Sequence, residues 1–426
     1  MKFTVNAGVF AESLLPNIEV ATKNIEKDFY GAEKITFHAE KDKLTAFSHG
    51  GKMALILSIS NDTVNELSYD CKGEGKATIL AINFDKTLKA IPPSAKLDVD
   101  ATTSKMILSY IDATTKDKHK ERQTIVFEDE EVKPPVLAKK FKQEVKINRE
   151  MFIGGLNKVK FAIGWAQTMP YYMVELFEIE EGKARFAAGT GARFAVLDIE
   201  GKCIEGLKEK QTFYFPKDSI DNMIKVLSTS SSTDVSIKYA PSNSKSQKTP
   251  DQIIIDFEEG KNLILLGLDS SINYPALDNV INFDYPHRIS SELDDWKYVV
   301  AGIDATYSPD IKAENDIHNT DVTARFDKEY FLVETRSKME AERTVKFGDI
   351  VETSDTGDSP SFRCGTNYLK EIYDAGGKIG KIIIQFEDKS NDGKKLRPVF
   401  VEFQEKENDS KGTTEKFKMF FAVSKR

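Results

Sequence analysis

Apolar and polar residues alternate along much of this chain, and helical spacing interrupts the alternation at intervals, so that three successive sections share one layout. Each section opens with a short strand and an amphipathic helix, runs through strands and hairpins to a second short helix, and closes on further strands. In the first, residues 1–5 alternate, and Val9, Leu14, Ile18, Ala21 and Ile25 mark a helix over 8–25. Pro16 falls inside it and argues against an unbroken helix, because proline lacks the N–H the next turn needs. Strands over 34–38, 43–47 and 53–60 lead to a helix over 83–91 ending at Pro92 and Pro93, then to strands over 95–100, 105–111 and 122–127.

The second section repeats the order. A strand over 141–147 meets Asn148, a good N-cap for a helix over 149–163. Strands follow over 171–178, 184–189 and 193–199. Pro216 suits the first turn of a helix ending at Leu227, and strands over 235–239, 252–257 and 262–268 complete the section. In the third, Ser290 or Ser291 is read as the cap of a helix containing Leu293, Trp296, Val299, Val300 and Ile303. Strands over 320–326, 330–335 and 342–348 precede a helix over 366–375 that stops at Gly376 and Gly377. Strands over 379–386, 397–404 and 416–423 finish the chain. The expected class is α+β, in three tandem domains at 1–138, 139–279 and 280–426. Each is of ordinary domain length, roughly 140 residues, which excludes a solenoid.

Composition narrows the picture. The chain has 426 residues, 40% of them hydrophobic, enough for several cores. Its net charge of -8 gives no general affinity for nucleic acid, so any DNA contact has to come from a local basic surface. Cys71, Cys203 and Cys364 lie far apart, without metal-binding or disulfide-framework spacing. The start lacks the layout of a signal peptide and no apolar run reaches membrane-spanning length, so a cytoplasmic protein is expected.

Catalytic constellations are sparse. His38, His49, His119, His287 and His318 form no metal-binding spacing, and since most fall in expected loops or strand ends they are read as solvated surface histidines. Gly189, Thr190 and Gly191 look like half of a glycine-rich loop, yet they join two strands and open no helix for a phosphate. Asp294 and Asp295, adjacent on a helix, diverge and read as a solvated face. Neither an enzyme, nor a metal site, nor a cofactor is expected.

Certain residues carry a resemblance. MKFTV with Leu14 and Leu15 opens the chain. Phe161, Ala166, Gln167, Tyr171 and Tyr172 are followed by Leu176, Phe177 and Glu178, and then by the run Gly191 to Val196. Phe215, Pro216 and Lys217 precede Tyr274, Pro275, Ala276 and Leu277. In order and spacing over the whole chain these are similar to the bacterial β sliding clamp, the processivity subunit of DNA polymerase III. The resemblance implies three clamp domains per chain, each with two helices on small antiparallel sheets, and a head-to-tail homodimeric ring with helices lining the hole. It implies a non-enzymatic clamp on double-stranded DNA. Its partners would be a DNA polymerase and a clamp loader, engaged through short peptide motifs.

Two sets of residues follow. Sliding requires diffuse phosphate attraction without base readout. Lys23, Lys27, Lys86, Lys89, Arg149, Lys158, Lys160 and Lys217 are basic residues on the expected helices, joined by Lys225, Lys370 and Lys378. Each alone reads more readily as an ordinary solvated helix face. By residue matching, Gln167 and Tyr172 join the DNA set. The partner-peptide pocket, by the same matching, comprises Met173, Gly189, Gly191, Ala192, Arg193, Phe194, Pro275, Val280, Tyr368, Leu396, Pro398, Phe420, Ala422 and Val423. Without the resemblance, its apolar members read as core. Ala192 stands where the family has histidine and Phe194 where it has leucine, so the peptide preference should differ. The other reading is a β-rich protein-interaction scaffold that does not bind DNA.

Overall fold

The computed structural model describes residues 1–23, 33–62, 64, 66–102, 105–111, 120–126, 137–164, 169–201, 209–241, 251–266, 272, 274–275, 277, 284–294, 296–297, 321–326, 330–335, 341–346, 360–376, 380–387, 397–404, 406–408 and 412–422. These fall into two compact units, Met1–Gly154 with Phe215–Ser271, and Gly155–Tyr214 with Ile272–Arg426.

The first part of the chain forms β1 (Lys2–Asn6), α1 (Ala7–Lys23), β2 (Lys34–Ala39), β3 (Leu44–His49), β4 (Met53–Ile59), β5 (Asp70–Gly73), β6 (Gly75–Leu80), α2 (Ala81–Lys89), β7 (Lys96–Ala101), β8 (Lys105–Ile111) and β9 (Lys120–Val126). Next come β10 (Gln143–Asn148), α3 (Arg149–Val159), β11 (Val174–Glu180), β12 (Lys183–Gly189), β13 (Arg193–Gly201), β14 (Gln211–Pro216), α4 (Lys217–Ser228), β15 (Asp234–Ala240), β16 (Gln252–Glu258) and β17 (Lys261–Leu266). The last part holds β18 (His287–Glu292), β19 (Asp321–Phe326), β20 (Tyr330–Thr335), β21 (Ala341–Lys346), β22 (Ser361–Gly365), α5 (Thr366–Gly376), β23 (Lys381–Phe386), β24 (Val399–Phe403), β25 (Lys406–Asn408) and β26 (Thr413–Phe421).

In the first unit, one sheet runs β5-β1-β7-β8-β9 and another runs β10-β15-β16-β17-β4-β3-β2-β6. The second sheet joins strands of the first and second sections through the β17–β4 pair, Leu263 facing Leu55. In the second unit, β14-β11-β12-β13-β26-β24-β23-β18, with β25 paired to β26 as a ninth strand, joins the second and third sections through β13 and β26. A four-stranded sheet, β21-β20-β19-β22, completes it. Because ladders run on from section to section, the compact units cut across the sequence repeat. The pairs β1–β5, β13–β26 and β19–β22 are antiparallel, as alternating one-face burial favours.

The first core shows how the elements are fixed. Phe3, Phe10, Phe37 and Phe84 are fully buried, with Phe10 edge-on to Phe3 at 5.9 Å and to Phe84 at 6.2 Å. Helix α1 continues through Pro16, as the helical spacing over 8–25 predicts, although the proline spoke against continuity. Its buried stripe of Phe10, Leu14, Ile18 and Ala21 offsets the lost hydrogen bond, a cost of about 3 kcal/mol. Asn6 caps it by accepting from the Val9 amide at 3.0 Å. The buried Asn17 amide donates to Ser48 Oγ at 3.0 Å and to the Leu55 carbonyl at 3.3 Å, pinning the helix to β3 and β4.

Other expectations are corrected. Ser290 and Ser291 lie in β18, opposite Ile383 and Ile382, so they cap no helix there. His49 and His287 are buried and not solvated: His49 Nε2 meets the Gly51 carbonyl at 3.1 Å and the His287 ring packs on Phe386 at 5.2 Å. His119, His318 and Cys203 lie outside the described residues. Among the described residues no group of three or more His, Cys, Asp or Glu could hold a metal ion, and no helix is long and apolar enough to cross a membrane.

Candidate functional site

The register of β13, β26 and β24 builds the central feature of the second unit. Phe194 faces Phe420, and Phe420 faces Phe400, so three aromatic side chains stand in a row on one sheet face. Phe400 and Phe420 stack at 4.8 Å, and Tyr285 lies nearly parallel to Phe400 at 6.3 Å. The Tyr285 hydroxyl donates to the Pro398 carbonyl at 2.9 Å, bringing that predicted pocket residue into the group. Leu176, Ala187, Val196 and Leu277 complete the apolar cluster, with Tyr214 and Tyr274 packed against it.

Two glycines make room for rings. A Cβ on Gly189 would stand 2.1 Å from the Phe194 ring, and one on Gly191 would stand 2.6 Å from the Tyr172 hydroxyl. Gly164 likewise lies under Tyr172, whose carbonyl accepts from the Gly164 amide at 2.8 Å. Tyr172 is not in a strand as predicted. Pro170–Met173 forms a 3-10 turn instead, with the Tyr172 amide donating to the Met169 carbonyl at 2.9 Å, because Pro170 sets the φ of that turn and offers no ladder donor. Tyr171 and Tyr172 meet at 4.4 Å, and Tyr171 meets Tyr274 at 6.2 Å. Met173 ends the turn, half-buried, and Pro275 is half-buried beside Tyr274 in sequence.

The remaining described pocket residues divide. Ala192 and Ala422 are exposed and joined by an amide-to-carbonyl bond of 2.7 Å. Arg193 faces Phe421, so alternation sends it to the opposite face from Phe194. There its guanidinium pairs with Glu371 of α5 and donates to the Phe161 carbonyl at 2.8 Å. Burial raises the Glu371 carboxyl, and Arg193 pulls it back. Tyr368 stacks on Phe421 at 5.1 Å, on that same helix-facing side. The structure therefore does not bring Arg193 and Tyr368 onto the aromatic row. Val280, Leu396 and Val423 lie outside the described residues.

Sequence reasoning missed Tyr214, Tyr285, Leu176 and Phe400 as members of this cluster. Period-two alternation in β11 and β24 carried a signal for Leu176 and Phe400; the tyrosines carried none without the register. It also missed Glu175, which is fully buried on β11 with no hydrogen bond to either oxygen. Burial raises its carboxyl well above the ordinary range, opposed by the charge of Lys160.

The basic set is spread over several elements. Lys86 and Lys89 are exposed on α2, Lys89 pairing with Asp85 at 2.6 Å. Arg149 opens α3, capped by Asn148 through the Met151 amide at 3.1 Å. Lys217 opens α4, and Lys225 reaches Glu19 at 3.4 Å. Lys158 is committed: its ammonium donates to the Ala375 carbonyl at the C-terminal end of α5 and sits 4.7 Å over the Phe417 ring. Lys160 faces the buried Glu175. Lys370 is exposed on α5. Lys27, Gln167 and Lys378 lie outside the described residues, and Lys23 is placed only as the last residue of α1.

Across the described helices, acidic residues match basic ones in number. Glu12 and Glu19 outnumber Lys23 on α1, while Glu371 and Asp374 outnumber Lys370 on α5. The basic excess sits on α2 and α3, and α4 is balanced.

No protein-family model and no curated protein matches the chain. Solved structures do. The chain is similar to the DNA polymerase III beta chain of Streptococcus pneumoniae, with a TM-score of 0.77 at 13% identity, and to the DNA polymerase sliding clamp of Pseudomonas aeruginosa, at 0.75 and 12%. The beta sliding clamp of C. crescentus aligns at 0.74 and 14%. Each alignment covers 100% of both chains. The chain has the bacterial sliding-clamp fold. Likeness at this identity speaks for architecture and not for individual side chains.

Proposed function

We propose that this chain is a DNA sliding clamp: a non-enzymatic ring that encircles duplex DNA and tethers a replicative DNA polymerase. The supporting observation is the full-length likeness to DNA polymerase clamps, end to end over both chains. Three clamp modules, at 1–138, 139–279 and 280–426, would be welded by the shared eight- and nine-stranded sheets, and two chains would close head to tail into a homodimer. Closure would cover sheet edges that otherwise invite aggregation. Retention on DNA would be topological, aided by Lys86, Lys89, Arg149, Lys160 and Lys217. The aromatic row around Phe194, Phe420 and Phe400 would seat the short peptides of the polymerase and of a clamp loader in the cytoplasm.

A ring should sediment near twice the chain mass of 47.9 kDa. Once loaded on nicked circular DNA it should stay there, and leave when the circle is linearised. A stable monomer, or equal retention on circles and linear fragments, defeats the proposal.

A further inference from the structure

We infer that a cleft beside the N-terminal half of α1 is a docking groove for a partner segment that mixes basic and apolar residues. It lies wholly within the first unit, measures about 650 Å³, and is floored by Leu57 and Phe257 with Val9 and Val64 at its walls. That volume is within the range of sites that take peptide side chains or small ligands. Leu15 stands at its edge, 42% exposed, one of few large apolar side chains so uncovered among the described residues.

Charge selects the occupant. Three carboxylates line the cleft. Glu258 is neutralised by Lys261 at 2.8 Å, with both side chains largely buried. Glu12 and Glu66 are exposed and have no ion-pair partner among the described residues. The groove thus joins an apolar floor to two uncompensated negative charges. A purely apolar partner would leave those charges without a counterion, and a purely basic one would leave Leu15, Val9 and Val64 wet. Nucleic acid is repelled. A flexible protein tail alternating Lys or Arg with Leu, Ile or Phe satisfies both parts.

The rim is held in advance of binding. Glu66 and Ser68 have left-handed backbone angles, φ 62° and 53°, which an L side chain adopts only when its surroundings insist. The surroundings are visible. Asn61 accepts from the Tyr69 amide at 2.6 Å and donates to its carbonyl at 2.8 Å, while the Tyr69 hydroxyl donates to the Glu40 carbonyl at 2.6 Å. A loop backbone fixed at Glu66 costs a ligand less ordering.

The test uses the full-length chain, no DNA, and two short fluorescein-labelled peptides, one alternating Lys with Leu and its counterpart with Glu in place of Lys. Fluorescence anisotropy at low salt should show binding of the basic peptide only. Glu12→Lys with Glu66→Lys should weaken it at least tenfold, and Leu15→Ser several-fold. Both glutamates are exposed, so folding should survive; Glu12→Gln with Glu66→Gln serves as a milder pair and should weaken binding by a smaller factor. Equal binding of the two peptides, no binding to the wild type, or unchanged affinity in both double variants overturns the inference. None of these results bears on whether the chain forms a ring.

Discussion

The two ends of one sheet face in the second unit differ sharply. At one end β13, β26 and β24 align Phe194, Phe420 and Phe400. Two steps along the same face, Glu178 on β11 stands opposite Arg185, Arg185 opposite Asp198, and Asp198 opposite Lys416, so signs alternate across four strands. Lys210 extends the row by pairing with Glu178 at 2.7 Å. Arg185 holds Asp198 at 2.6 Å. The charged end satisfies itself: each charge has an opposite neighbour at sheet spacing, and a cleft of about 260 Å³ is lined by Glu178, Arg185, Asp198 and Lys210 among others. The aromatic end satisfies itself only by stacking and by cover from Tyr274, Leu277 and Tyr285. Register is equally strict at both ends, but at the aromatic end only the half-buried Phe194, Tyr214, Tyr274 and Tyr285 leave apolar surface for a partner, Phe400 and Phe420 being buried beneath them.

The strongest way to break this comparison is Phe420→Ala. Its ring is 2% exposed and stacked on Phe400, so the loss should be about 3–5 kcal/mol in denaturant unfolding. It should also abolish binding of a polymerase-derived peptide by calorimetry. A stability loss below about 1 kcal/mol would mean the row is surface decoration. Next comes Gly189→Ala, whose new methyl must displace the Phe194 ring and should cost about 1–3 kcal/mol; a neutral result would show that Phe194 moves freely.

Glu175→Gln sharpens the contrast between satisfied and unsatisfied charge. The folded carboxyl keeps its proton above the ordinary value near 4.5. Its contribution is therefore full below that value and declines as pH rises toward the folded pKa. The variant should lose that decline and be the more stable protein at neutral pH. Parallel stability profiles for the two proteins would show that Glu175 finds a partner after all. Smallest is Arg185→Ala. Its pair with Asp198 is only partly screened from water, so about 1 kcal/mol is expected, shrinking as salt is added. An effect larger than that of Gly189→Ala would invert the picture of the charged end.

Residue spacing alone determined most elements of this chain, because burying one side of a strand or helix imposes its period on the sequence. The strands 53–60, 105–111 and 330–335 and the helices after Asn148 and Pro216 were legible for that reason. Glycine and proline chemistry gave the stop of α5 near Gly376. Strands β5, β6, β14, β22 and β25 were not legible, being short or adjacent to stronger helix signals. Pro16 spoke against an unbroken α1 although the spacing around it predicted one, since local propensity carries no information about a buried stripe on the far side of the helix.

Tertiary structure alone decided which side chains meet. Phe420 and Phe421 are neighbours in sequence, yet one joins Phe400 and the other joins Tyr368 on the opposite face. Lys158 looked free for a phosphate until the end of α5 and Phe417 closed on its ammonium. Burial of Glu175 and the crowding of Gly189 by Phe194 likewise depend on strands far apart in the chain. Periodicity is a property of one segment, whereas register, pairing and desolvation belong to the segments it packs against.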